Sequence, residues 1–553
     1  MSKNKSFLLG VLAILFVFIL SACSSNNANK DDKKPNDNGK ASSNEASNGD
    51  ESGLPTEENG MKFADRVELK IPVYDRAFEG WNVTDNYYTK WIQEEFGEKH
   101  NIDIKFVPIA RANEETDYQQ LLAAGNAPHI VFHYDMPKAL NYYSSEVLQP
   151  LNYDEIKQYA PTYWDKLGQT IEDYGTVNDE KVFFFAERPD VDNFVTIIRK
   201  DWVEQVGMKV EDLTSQEKMD ELAMKWKEAG LGTLGSGLTA NHYQYSYPYR
   251  DWPIDPEYRA LYSDLTVADF TTDETKEWLE HHSYQYHNGL IDQEFYLNDA
   301  AKSKSDFVAG RIGTYGEFIS SNTDLFSATL ANNPDADFAV VPPAPPEGKK
   351  PQARAYWPFG FIMGINEAAT EEQRVAVWMY LEWMIQPDNL FFLQNGVEGE
   401  NYTLTEDGVP LKNEEFNGES KLAMNNNKDY WSLVIEAPFF ENEEKTLEVM
   451  KHFWSPKDYE YIVDDLLKYQ EEVKEYKTPD ALFTTVINSV NEYQADLNEL
   501  FQQLYVDIVI SSPDELDKKY EAAKKRYLEA GYQEILDEKQ KAIDEGNYIY
   551  IER

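Results

Sequence analysis

At 553 residues and 42% hydrophobic content, the chain is long enough to bury two cores rather than one. Its 52 basic and 99 acidic side chains leave a formal charge of −47, which repels polyphosphate and anionic headgroups and excludes nucleic acid as an expected partner. The only cysteine is Cys23, so neither an intramolecular disulfide nor a multi-cysteine metal cluster can form.

Lys3 and Lys5 precede an apolar run over residues 7–20, long enough for an export signal and short of the about 20 residues a spanning helix needs. The run ends in Leu20, Ser21, Ala22 and Cys23, the pattern of a bacterial lipobox, in which small residues admit a peptidase and the thiol takes a diacylglycerol. Residues 1–22 therefore read as a lipoprotein signal peptide and Cys23 as the lipidated mature N-terminus, since two acyl chains anchor stably where one does not. Residues 23–61 form a polar tether of Ser, Asn, Asp, Lys and Gly, too poor in apolar side chains to offset ordering entropy. No later stretch approaches eighteen uninterrupted apolar residues, so the body is expected on the outer face of the cell membrane, held by lipid alone.

In the body, residues 67–74 (VELKIPVY) read as a strand, and Tyr87, Trp91, Ile92 and Phe96 recur at helical spacing. A strand over 102–108, a helix over 117–124 and a strand over 129–134 follow, an alternation that predicts a parallel sheet covered by helices. Ligands of such sheets gather beyond the carboxyl ends of strands, which singles out Asp75, Arg76 and Trp81 after the first strand and Asp135 after the third. Residues 195–199 predict another strand, and a helix opens at Thr214 or Ser215, with Thr214 and Glu217 fitting a capping box, and stops near Gly230. Residues 241–252 form a loop rich in Tyr and Pro, residues 340–351 a proline-rich connection and residues 360–365 a strand. Beyond Thr370 helices dominate: Val375, Trp378, Leu381 and Ile385 share a face before Pro387, and further helices are expected over 457–475, 480–505 and 513–530.

Three stretches, FVTIIRKDWVEQVG at 194–207, FVAGRIGTY at 307–315 and NGVEGENY at 395–402, stand in order behind the lipobox and tether. Together they resemble the solute-binding lipoproteins of ABC importers, in the large Gram-positive, oligosaccharide-binding branch of the sugar-binding family. The resemblance implies an α/β, two-lobed fold of the type II periplasmic-binding-protein kind, with hinge crossings near residues 188–196, 338–344 and 395–404 and a helix-rich C-terminal part. It implies lobe I at 62–190 plus 341–398 and lobe II at 191–340 plus 399–553. It also implies a monomer that closes over its cargo and passes it to ABC permease subunits, with no cofactor and no catalysis.

Sugar rings pack their C–H faces on aromatic surfaces and need fixed polar partners for their hydroxyls. Aromatics make up 14% of the chain, and the loops offer Trp81, Tyr249, Trp252, Tyr315 and Trp357 beside Asp75, Arg76, Asp135, Asp251 and Glu317 as ligand-binding candidates. The segment at 247–252 (YPYRDW) concentrates both types. A peptide-binding subunit and an anchored glycoside hydrolase are the alternatives. Residues 230–235 fit G-x-G-x-x-G but follow a helix and open none, which is wrong for a dinucleotide site. His281, His282 and His287 lack a ligand spacing and predict a solvated helix face, and His129 and His133 lie too far apart on a strand to share a metal.

Overall fold

The computed structural model describes residues 53–550 apart from 79, 190–193, 236–260, 263–266, 320–323, 352, 356, 407, 414, 423–426, 439, 441, 456–457 and 480. Strand β1 (Val67–Asp75) is followed by helix α1 (Tyr87–Ile92) and by β2 (Ile102–Ala110). The two strands pair in parallel from Val67 opposite Ile102 to Asp75 opposite Ala110. Helix α2 (Glu114–Ala123), β3 (Ile130–His133) and α3 (Met136–Ser144) complete the opening βαβαβα run. β3 joins β1 through His129, whose backbone N–H donates to Lys70 O at 2.9 Å while its Nδ1 accepts from Lys70 N at 3.2 Å.

The predicted all-parallel sheet ends there. β4 (Phe184–Glu187) and the much later β8 (Phe359–Asn366) extend it, and β8 runs antiparallel to both β3 and β4. Strand alternation along the first third of the chain carries no information about a strand that returns after a long excursion, and so its direction was not legible locally. All eight residues of β8 are buried, as befits a central strand with both faces covered.

A second sheet is built from β5 (Phe194–Arg199), β6 (Thr314–Phe318) and β7 (Phe338–Val340) in the order β7-β5-β6, antiparallel throughout. Side chains alternate across a strand, and here the two faces serve different cores. Ile198 and Ala339 point into one that includes Trp202, Trp226, Phe501 and Tyr527. Val195, Ile197, Phe338 and Val340 point into another with Phe307, Trp454 and Leu466. The first sheet has its own core, which gathers Leu69, Ile71, Phe132, Phe185, Ile362 and Trp378 together with Trp431, Val434 and Ile435 from much further along the chain.

Helix α4 (Gln216–Ala229) starts where the sequence places it, with Ser215 rather than Thr214 as the cap: the Ser215 side chain accepts from Lys218 N, and Gly230 closes the helix in the left-handed region at φ 70°. The glycines that follow serve backbone approach. A Cβ on Gly232 or Gly235 would run into the carbonyl oxygen of Arg311 or Thr314, which explains the G-x-G-x-x-G pattern without a nucleotide. Helix α5 (Asp273–Asn288) carries the three histidines, and the expectation of a solvated face needs correction: His282 is 1% exposed, stacked on Trp278 at 5.5 Å and bonded to the Tyr505 hydroxyl. The aromatic cluster around it outweighs the cost of burying a neutral imidazole.

Helix α6 (Glu371–Ile385) has the capping box Thr370–Gln373 and is buried on nearly every side rather than on one stripe. Pro387 opens the next helix, Pro387–Asn395, as well as ending the last. The C-terminal part is mostly helical, with α7 (Asn488–Val509), α8 (Leu516–Tyr527) and α9 (Gln533–Asp544) packed beside α5 and the second sheet's core. Ala481–Phe483, expected at the start of a helix over 480–505, instead form a short strand paired with Tyr548–Tyr550. Among the described residues no helix is long and apolar enough to cross a membrane.

Candidate functional site

Five chain segments reach one edge of the first sheet. β1, β2, β3 and β4 end there at Asp75, Ala110, His133 and Glu187, and β8, antiparallel, begins there at Phe359. The residues just beyond are Arg76, Arg111, Tyr134, Arg188 and Trp357. Residues 427–436 cross this edge. Asp429 accepts from Arg76 Nε at 2.7 Å and Nη2 at 2.8 Å. Further along, Glu187 N donates to Val434 O and Glu436 N to Glu187 O, both at 2.9 Å, and Arg188 Nε donates to Glu436 Oε2 at 2.9 Å. Gly360 lies beneath this crossing, where a Cβ would displace the Glu436 side chain from its place.

The floor is aromatic. Tyr134 stacks on Phe361 at 4.3 Å and on Tyr74 at 6.1 Å, and the Arg111 guanidinium lies 5.0 Å from the Tyr74 ring centre and 5.4 Å from that of Tyr134. Beneath it, the Glu114 carboxylate accepts from the Tyr74 hydroxyl at 2.5 Å and from Arg111 Nη1 at 2.9 Å. Burial pushes the Glu114 carboxyl up to about 7 despite the opposing pull of Arg111. Burial likewise pushes His133 down to about 3, with Arg111 adding to the effect. At Arg76 burial works against the charge, but Asp429 overcomes it and holds the guanidinium firmly protonated. The Lys428 ammonium is pushed down, first by burial and then by Arg76 and Arg188 against the pull of Glu436 and Asp429.

The sequence-derived candidates fare unequally. Arg76 sits at this edge paired with Asp429, and Trp357, half-buried just before β8, lies 5.4 Å from Phe359. Asp75 is exposed and accepts from Ala77 N at 2.8 Å, making a local turn in which Ala77 takes φ 56°. Trp81 packs half-buried on Tyr88 and Tyr430. Asp135 is half-buried at the start of α3, its N–H donating to His133 Nδ1 at 2.9 Å. Tyr315 is 7% exposed and its ring lies in a core beside Phe307, so the strand position placed it inward. Glu317 lies in β6 opposite Val195. Tyr249, Asp251 and Trp252, with the rest of 247–252, and Cys23 lie outside the described residues.

Sequence reasoning missed Arg111, Tyr134, Arg188, Lys428, Asp429 and Glu436. The strand-end rule, applied to β2 and to the apolar run 182–186, would have found Arg111 and Arg188. Nothing local marks Lys428, Asp429 or Glu436. Among the described residues no group of three or more His, Cys, Asp or Glu is arranged to hold a metal ion.

The model for the family described as bacterial extracellular solute-binding protein matches residues 91–391, more than half of the chain. The lipoprotein LipO of Bacillus subtilis is 22% identical over 459 residues, spanning 79% of this chain and 84% of LipO. The polygalacturonan/rhamnogalacturonan-binding protein YtcQ of the same organism is 22% identical over 325 residues, covering 55% of this chain and 62% of YtcQ. Among solved structures, the S. pneumoniae ABC-transporter substrate-binding protein FusA in complex with kestose superposes with a TM-score of 0.61 at 14% identity, covering 87% of this chain and 99% of that one. The alginate-binding protein AlgQ2 gives 0.59 at 14% identity, covering 87% and 98%. The fold is therefore the two-lobed α/β fold of solute-binding proteins. With a family model matching more than half of its length, the chain belongs to the bacterial extracellular solute-binding proteins.

Proposed function

We propose that this protein captures an oligosaccharide against the first-sheet edge, closes its lobes over it and delivers it to the membrane subunits of an ABC importer. The observation that carries the reading is the juxtaposition of Tyr134 and Trp357 with the paired charges of Arg76, Asp429, Arg188 and Glu436 at one strand-end surface. Flat rings and fixed hydrogen-bonding groups side by side are what a pyranose requires. The named ligands of FusA, AlgQ2 and YtcQ, all carbohydrates, support it. The protein acts by binding and carries out no bond chemistry.

Lobe I is proposed to hold 62–190 and 341–398 and lobe II 191–340 and 399–553, with hinges near 188–196, 338–344 and 395–404. Trp81, Asp135, Tyr249, Asp251, Trp252 and Glu317 are proposed as further ligand contacts. Cys23 carries the diacylglycerol that holds the otherwise monomeric protein on the outer face of the cell membrane.

The test is thermal unfolding of the full-length chain in detergent against panels of oligosaccharides and peptides. A ligand at about 100 times its Kd stabilises by about 2.7 kcal/mol. A saturable shift with a saccharide class, accompanied by a smaller radius of gyration, is expected. A shift with peptides alone would overturn the carbohydrate reading.

A further inference from the structure

The formal charge of −47 makes any gathering of cations at a ligand surface noteworthy. Arg76, Arg111, Arg188 and Lys428 meet at the first-sheet edge, close enough that Arg76 is felt by both Arg111 and Lys428, and Arg188 by Lys428. Three of them have carboxylate partners: Asp429 for Arg76, Glu114 for Arg111 and Glu436 for Arg188. Of the other acids at this edge, Asp75 is turned to the Ala77 N–H, Asp135 toward His133, and Glu187 pairs with Lys166. Lys428 is half-buried and forms no ion pair among the described residues.

We infer that the saccharide held at this edge is anionic, a uronate-type oligosaccharide with one carboxylate set against Lys428 between Arg76 and Arg188; this rests on the carbohydrate reading above. A neutral sugar leaves the Lys428 ammonium beside two guanidiniums that already engage Asp429 and Glu436, the nearest carboxylates. A sugar carboxylate supplies a further anion in a partly desolvated setting, where a charge-assisted hydrogen bond is roughly twice as strong as a neutral one. The buried Glu436 Oε1, which meets no donor among the described residues, is placed to accept a neighbouring sugar hydroxyl. Burial and the neighbouring arginines already disfavour a lone charged Lys428, so an anion that restores the charge gains from the same environment that penalises its absence.

The test is calorimetric titration of the full-length chain in detergent with oligogalacturonate and oligoalginate, each against its fully methyl-esterified form. Expected is at least about tenfold tighter binding of the acid, a gap that narrows between about 50 and about 300 mM NaCl as screening grows. Lys428→Met should bring the acid-to-ester affinity ratio close to one, and Lys428→Arg should restore it. Equal affinity for acid and ester, or tight binding confined to neutral glucans or fructans, overturns the inference and leaves the carbohydrate reading intact. Binding of peptides with silence toward every saccharide overturns both. Because the two ligand forms are compared on the unaltered protein, the outcome stands even if a variant fails to fold.

Discussion

Arg76 and Asp429 show how a residue selected from one local rule gains its meaning from a partner far along the chain. The Asp429 side chain is 3% exposed and the Arg76 side chain 24%, so removing the guanidinium strands a buried carboxylate. Arg76→Leu is expected to destabilise by on the order of 3 kcal/mol, measured by urea denaturation, and pairing it with Asp429→Leu should recover much of the loss. A double variant as unstable as the sum of the singles would show that the pair does not act as a unit. Arg76 stands just beyond a strand in the structure, as the strand-end rule expects. Tyr315 shows the limit of that reasoning: a loop-like sequence context does not tell which face of a three-stranded sheet a ring will join.

Helix boundaries follow from short-range chemistry, which is why α4, α6 and the C-terminal helices were placed with fair accuracy. Ser215 supplies the acceptor for the Lys218 N–H, and Ser215→Ala is expected to cost about 1 kcal/mol in thermal or urea unfolding, whereas Thr214→Ala should change little. The reverse ranking would return the cap to Thr214. Strand direction is a different matter. The antiparallel entry of β8 between β3 and β4 depends on where the chain returns after building a second sheet, and no periodicity within residues 359–366 encodes it. The same holds for the burial of His282, whose neighbours Trp278 and Tyr505 come from two helices.

At the scale of the molecule, buried histidines set the response to acid. Burial pushes His129 down to about 4 and both His133 and His282 to about 3. The folded state keeps them neutral while the unfolded chain protonates near 6.5, so their contribution is fully present above that pH and is lost as pH falls through the window toward 4. Glu114, raised to about 7 from 4.5, has the opposite sign: it favours the fold at low pH and loses that advantage as pH rises through 7. Three histidines outweigh one carboxyl, so urea midpoints should fall from pH 7 to pH 5, with stability dropping by on the order of 1–3 kcal/mol per pH unit. His282→Phe should flatten that slope, and a midpoint independent of pH would refute this assignment. By itself the sequence determined the α/β class, the strands near 67–75, 102–110, 130–133, 194–199 and 359–366, and most helix ends, because hydropathy periods and caps act over a few residues. Only the tertiary structure decided which strands run antiparallel, which aromatics lie inward and which charges meet at the ligand edge, because Lys428, Asp429 and Glu436 reach Arg76 and Arg188 only through the packing of a chain segment hundreds of residues away.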